Sequence, residues 1–288
     1  MALHRRNVIK LGGALAVALF VALSAPLLQA QSGKVEVHWL GQSTFKITTP
    51  SGKVIVTDPF FGNPKMPPEY KDLSKLGKVD LVLVSHGHGD HVGTLGRTDG
   101  SCDAVDIVKR NNAKLYGPAG LIQTMIDLGW VTAEQAVRFG KGGKVQPLGP
   151  QITITQVRAE HSSELTVVDL ATKKATTHVG GEPAGFVIQL ENGFKIYHMG
   201  DTGLFGDMKL IGDYYKPDLI LMPIGGHFVM DPVDAAYATK EWLKPKFVIP
   251  MHYGTTPVLK GTPQEYMAAL GQATTKVFPI DPGDKLEF

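Results

Sequence analysis

The sequence predicts an α/β protein in which two β-sheets pack together with helices outside, and three observations carry that expectation. The run Val79-Asp80-Leu81-Val82-Leu83-Val84 is apolar and β-branched with little alternation, the pattern of a buried parallel strand. Meandering strands followed by strand–helix units recur in both halves of the chain, which fits paired sheets rather than a helical bundle. With 288 residues, 43% hydrophobic and 19% charged, the chain is long enough for one large domain and apolar enough to bury its core.

Taken in order, residues 1–30 read as an export signal. Arg5 and Arg6 precede an apolar run from Leu11 to Leu23 that is too short and too rich in Gly and Ala for a membrane span. Small residues allow cleavage after Ala30 or within Ala22-Leu23-Ser24, so no stable span is expected after processing. Arg5-Arg6-Asn7-Val8-Ile9-Lys10 also resembles a twin-arginine signal, with Val8 where Phe is usual, which points to a periplasmic destination. Loss of Arg5, Arg6 and Lys10 takes Lys+Arg from 29 to 26 against 27 acidic residues. The mature chain is then near neutrality and offers no basic surface for nucleic acid. Cys102 is the only cysteine, which excludes an intramolecular disulfide and a thiolate-rich zinc site.

Strands are expected at residues 35–40, 44–49 and 53–57, with Pro50-Ser51-Gly52 as a hairpin turn. A proline-rich loop then leads to the strand at 79–84. Helices are expected at 103–111, with Asp103 near the N-cap, and at 118–128, with Pro118 near N1, separated by a strand at 113–116. Further strands are read at 137–139, 143–148 and 151–157, and residues 173–181 as a polar loop carrying a solvated His178. The second half supplies a hairpin, 184–190 and 194–198, across Glu191-Asn192-Gly193. A short helix at 204–212, a buried strand at 219–223, a helix from Asp231-Pro232 to Leu243, a strand at 247–250 and a last helix after Thr262-Pro263 complete the chain.

The chemistry concentrates in Ser85-His86-Gly87-His88-Gly89-Asp90-His91, at the carboxyl end of the 79–84 strand, where α/β proteins gather their ligands. His86, His88, Asp90 and His91 are four metal-capable side chains within six residues of a chain that has ten histidines. If extended backbone persists past Val84, alternation turns His86, His88 and Asp90 to one side, while Asp90 and His91 diverge. His161, Asp201 and His252 each follow a strand-like segment of their own, so ligands from separate strand ends can converge on one mouth. Imidazole and carboxylate donors suit zinc, with manganese and iron as alternatives.

His86-x-His88-x-Asp90-His91 followed by His161, Asp201 and His252 resembles the metallo-β-lactamase superfamily. The phrases Trp39-Leu40-Gly41, Gly200-Asp201-Thr202-Gly203-Leu204-Phe205, Pro223-Ile224-Gly225-Gly226-His227-Phe228 and Pro250-Met251-His252-Tyr253-Gly254 are similar to a narrower group of small metal-dependent hydrolases related to ascorbate-phosphate lactonase. The resemblance implies one metallo-hydrolase domain over residues 31–288, a four-layer αββα sandwich with the metal site at one edge. It implies two divalent ions: His86, His88 and His161 on the first, Asp90, His91 and His252 on the second, and Asp201 bridging. The implied activity is cleavage of a small-molecule ester, lactone, thioester or phosphodiester by a hydroxide shared between the metals.

The alternatives are a metal- or ligand-binding protein of the same fold without efficient catalysis, and β-lactamase-like amide hydrolysis. The second is disfavoured because Asp201 stands where true metallo-β-lactamases carry Cys or Ser. Asp58 resembles the group's carboxylate that orients a ligand histidine. His227 is read as a proton donor or substrate ligand, against a loop histidine bonded to backbone. At Gln42 the group often has His, so this chain departs from the pattern there. Phe60, Phe61, Tyr70, Phe205, Phe228 and Tyr253 are candidates for an apolar wall around the mouth. His38 and His198 are read as packed histidines, and Cys102 as a spare thiol.

Overall fold

A computed structural model describes residues 33–95, 101–169 and 171–288. The export signal expected at 1–30 lies outside the described residues. No helix among those described is long and apolar enough to cross a membrane.

The first half provides β1 (Glu36–Gly41), β2 (Thr44–Thr48), β3 (Val54–Thr57), β4 (Leu81–Leu83), β5 (Lys114–Pro118) and β6 (Ala136–Phe139). Its helices are α1 (Gly89–Val92), α2 (Asp103–Asn111) and α3 (Ala119–Asp127). There follow β7 (Lys144–Val145), β8 (Thr153–Arg158), β9 (Glu164–Val168), β10 (Ala175–Val179), β11 (Ala184–Gln189), β12 (Lys195–His198), β13 (Leu219–Pro223), β14 (Phe247–Met251), β15 (Lys276–Val277) and β16 (Lys285–Glu287). Helices α4 (Met208–Leu210), α5 (Pro232–Tyr237) and α6 (Pro263–Leu270) accompany them, and α4 and α5 run on as π-helical turns over Ile211–Tyr215 and Ala238–Leu243.

Two seven-stranded sheets result, ordered β16-β1-β2-β3-β4-β5-β6 and β15-β14-β13-β12-β11-β8-β7, with β9 and β10 forming a separate ribbon. Strand alternation divides the apolar side chains between layers. Leu81 and Leu83 of β4 join Trp39, Phe45, Ile55, Phe186, Ile188, Leu219 and Leu221 in the core between the sheets. Val82 and Val84 turn the other way, onto Val105 and Val108 of α2 and Leu121, Ile122 and Met125 of α3. On the far side Ile220, Met222 and Val248 meet Met208, Ala235, Leu243 and Tyr266. The order is helix, sheet, sheet, helix, as expected for αββα. Burial on both faces is why β4 and β13 read as unbroken apolar runs.

Several local expectations change. The 173–181 segment is not a loop: Thr177 stands opposite Thr166 and His178 opposite Leu165 in the β9–β10 ribbon. Its β-branched threonines favour strand, but both faces are largely exposed, so no apolar alternation marks it. His178 is half-buried there rather than simply solvated. The 143–148 strand shrinks to Lys144–Val145, and the 204–212 helix starts later, at Met208. Asp103 is the first helical residue after the cap Cys102, and its carboxylate accepts the Phe61 N–H at 2.7 Å. Pro118 closes β5 and caps α3 instead of lying inside the helix. The short strands β15 and β16 carry no periodic signal and are made by pairing with β14 and β1. At the last helix the expectation holds in detail: Thr262 and Glu265 form a reciprocal capping box ahead of Pro263.

His38, on β1, lies edge-on to Tyr70 at 4.8 Å between ring centroids, and its Nε2 is buried without a partner. Burial, and then the charge of Lys285, lowers its pKa from 6.5 to about 4. The unfolded chain therefore binds the proton that the folded chain refuses, and stability falls as pH drops from 6.5 towards 4. His38→Leu is expected to flatten this acid limb by up to about 3 kcal/mol, read from urea unfolding across that window.

Candidate metal centre

Strand direction brings the expected residues to one edge. β3 and β4 are parallel, and β1, antiparallel to β2 as β2 is to β3, runs the same way. In the second sheet β12, β13 and β14 are parallel, and β8 shares their direction because β11 lies antiparallel to both β8 and β12. The residues that follow these strand ends are Gln42 after β1, Asp58 after β3, the 85–91 stretch after β4, His161 after β8, Asp201 after β12 and His252 after β14.

Extended backbone does not carry through the 85–91 stretch, which corrects the expected alternation to Asp90. Helix α1 begins at Gly89, so Asp90 and His91 leave a helical turn while His86 and His88 leave extended chain. Gly93 ends that turn at φ +83°, where a Cβ would strike the Asp103 carboxylate at 2.4 Å. Gly200, at φ +63°, passes Ser85 so closely that a Cβ would lie 2.8 Å from the serine Cβ, which seats the Asp201 loop against the 85–91 stretch.

The seven predicted side chains meet. His86 Nε2 and His161 Nε2 stand 3.0 and 3.3 Å from His88 Nδ1. Asp90 Oδ2 stands 3.7 Å from His91 Nε2 and 3.5 Å from His252 Nε2. Asp201 lies between the two sets, with Oδ1 3.2 Å from His91 Nε2 and Oδ2 3.0 Å from His252 Nε2 and 3.7 Å from His161 Nε2. His86-His88-His161, His86-His91-Asp201 and Asp90-His91-His252 each offer donor atoms within 4.8 Å of one another.

At the centre of the cluster three of these atoms face one another without an aligned hydrogen bond. His91 Nε2, Asp201 Oδ1 and His252 Nε2 are buried and have no aligned hydrogen-bond partner, despite separations of 3.0 to 3.2 Å. Buried polar atoms left so are costly unless something else satisfies them, and lone pairs aimed at a common space are what a cation needs. The donor set therefore fits divalent metal.

The outward ring nitrogens are mostly held. Asp58, fully buried at φ +37°, accepts the Ser85 N–H and Oγ–H at 2.7 and 2.6 Å and holds His91 Nδ1 at 2.9 Å. Ser85 Oγ lies 3.0 Å from His86 Nδ1, and Glu164 Oε2 lies 2.9 Å from His88 Nε2. With Asp58 on Nδ1, the Nε2 of His91 is the nitrogen offered inward.

Electrostatics agree. Burial would lower the His252 pKa, but Asp201 and then Asp90 raise it to about 9. His91 is raised well above its usual value against the same burial, by Asp201, Asp90 and Asp58. Burial would raise the Asp201 pKa, and His252 and His91 override it downwards. Burial, and then the charge of His91, lowers that of His86. Without a cation, protons on His91 and His252 balance the carboxylates; a cation would take their place.

His227 does not join the cluster. It is exposed at φ +61°, its ring 4.4 Å from that of Phe228, and it lines a cleft of about 730 Å³ with Asp231, Lys260 and Glu265 that none of the seven side chains borders. Of the expected aromatic wall, Phe60 and Phe61 are core, Phe228 is exposed and Tyr70 packs on His38. Tyr253 and Trp39 do border a cleft of about 180 Å³ beside Gln42. His198 is buried, its Nε2 2.9 Å from the Ser43 carbonyl, and the Cys102 thiol is pushed by burial up to about 12, an inert packed group. Glu164 and Ser85 were not anticipated; Ser85 adjoins a ligand in sequence, whereas Glu164 heads a ribbon the sequence does not announce.

The family described as the β-lactamase superfamily domain matches residues 36–252. A UPF0173 metal-dependent hydrolase of Polaromonas sp. is 54% identical over 276 residues, covering 94% of this chain and 97% of its own. One from Cupriavidus necator is 55% identical over 266 residues, covering 91% and 89%. Among solved structures, the metallo hydrolase Igni18 of Ignicoccus hospitalis superposes with a TM-score of 0.73 at 33% identity, covering 88% of this chain and 98% of its own. With its strand-end cluster and this likeness along most of its length, the chain belongs to the β-lactamase superfamily and, within it, to the UPF0173 metal-dependent hydrolases.

Proposed function

We propose that this chain is a two-metal hydrolase of small-molecule esters, lactones, thioesters or phosphodiesters, acting after export. The reading rests on one observation above others: buried, unbonded nitrogens and oxygens of His91, Asp201 and His252 converge between two sets of donors. His86, His88 and His161 would hold one ion and Asp90, His91 and His252 the other, with Asp201 on both. When bound, zinc, manganese or iron would supply a water-derived nucleophile at neutral pH and polarise the oxygen of the bond under attack.

The chain's own contribution is orientation. Asp58 fixes the His91 ring, Glu164 and Ser85 fix His88 and His86, and the rigid strand ends leave little to rearrange during reaction. His227 is too exposed and too separate to be assigned the proton transfer.

Dialysis against a chelator is expected to abolish turnover of a chromogenic ester, lactone, thioester and phosphodiester panel. Added Zn²⁺ or Mn²⁺ should restore it, with about two equivalents bound per chain. Turnover indifferent to the chelator would refute the reading.

A further inference from the structure

Gln42 occupies the turn between β1 and β2, 2% exposed, in the left-handed region at φ +53°. Its Nε2 donates to Asp90 Oδ2 at 2.8 Å. That same oxygen faces His252 Nε2 and His91 Nε2. The contact runs from the amide nitrogen to a carboxylate oxygen, so the amide presents its N–H₂ to Asp90. The backbone carbonyl of Gln42 meanwhile accepts the backbone N–H of His252 at 3.2 Å and the Trp39 Nε1–H at 3.0 Å. One residue thus holds two of the three members of the Asp90-His91-His252 group, the Asp90 side chain through its amide and the His252 backbone through its own carbonyl. Nothing comparable ties it to His88 or His161 among the described residues.

We propose that Gln42 is the positioning residue of the second metal group, setting the occupancy of that ion while leaving the His86-His88-His161 group alone. The amide holds the Asp90 carboxylate in one rotamer, with the hydrogen-bonded oxygen turned into the cluster, so the group is formed before the ion arrives. The inference rests on the two-metal reading above.

The test is stepwise zinc titration of the metal-stripped full chain by calorimetry, with metal analysis after dialysis. Gln42→Met keeps the side-chain length and the backbone carbonyl but removes the N–H₂. It is expected to hold the first equivalent within about threefold of wild type and the second 10- to 100-fold more weakly, the usual effect of losing a group that orients a ligand. Gln42→His, which can again donate an N–H, should recover most of the second equivalent. In wild type labelled with ¹⁵N-glutamine, the Gln42 side-chain resonance should move during the second equivalent and not the first, a readout that does not require the variant to fold.

Unchanged binding of both equivalents by Gln42→Met, equal loss of both, or a Gln42 resonance that responds only to the first would overturn the inference. A wild-type chain that takes up fewer than two equivalents would instead count against the two-metal reading itself.

Discussion

Asp201→Asn is expected to reduce bound metal from about two equivalents to about one and to slow hydrolysis by about 100-fold or more, as the proposed sharing of Asp201 between two ions requires. The amide keeps the shape of the carboxylate but removes the charge that lies 3.0 to 3.7 Å from the imidazoles of His91, His161 and His252. In the metal-free protein the same change leaves the buried His91 and His252 short of their main counter-charge. His252 should then titrate well below about 9, since burial already pulls it down and Asp201 is the first force pulling it up. Atomic absorption after dialysis checks the first statement and a histidine NMR titration of stripped protein the second. Full metal content in Asp201→Asn would refute the proposed bridging role.

The second large effect concerns Asp58. Its carboxylate bonds Ser85 twice and His91 once, with no exposure to water, so it ties the end of β3 to the beginning of the 85–91 stretch. Asp58→Ala strands the Ser85 N–H and the His91 Nδ1 in a dry interior. It is expected to destabilise the chain by about 3–5 kcal/mol and to weaken metal binding 10- to 100-fold. Urea unfolding with and without zinc separates the two losses. An Asp58→Asn variant should retain more of the stability than of the affinity, because the amide can still accept from Ser85 but brings no charge to the imidazole.

Much of the fold and of the cluster is legible in the sequence. β4 and β13 announce themselves because both faces are buried, and Asp231-Pro232 and Thr262-Pro263 announce helices because an unpaired N–H at a helix start wants a side-chain acceptor and tolerates proline. Of the seven, His86, His88, Asp90 and His91 are legible because four metal-capable side chains crowd six residues at a strand end, and His161, Asp201 and His252 because each follows a strand end of its own. What escaped is whatever depends on a distant partner. β16 exists because β1 offers an edge, and the β9–β10 ribbon is made by cross-strand pairing, Thr177 opposite Thr166 among the pairs, with only Leu165 and Val167 of β9 reaching the core. Glu164 inherits its place from that ribbon, and so was invisible. The extended geometry expected through Asp90 failed because residues 89–92 close a helical turn, whose stop at Gly93 depends on a close approach by Asp103. In the sequence Gln42 stands out only as a departure from the group's pattern; that it reaches Asp90 follows from β1 running in the direction of β3, a property of the sheet and not of the turn.

Gln42, Asp58 and His252 share a backbone habit: each is a non-glycine residue with φ between +37° and +56°. Each such residue carries a strain on the order of 1–2 kcal/mol that glycine would relieve. A chain selected for heat tolerance alone would therefore drift towards glycine at these three places and erode its own mouth first. Glycine there would relax the backbone but remove the amide, carboxylate or imidazole that the cluster uses, so backbone ease and site chemistry are opposed at these three positions.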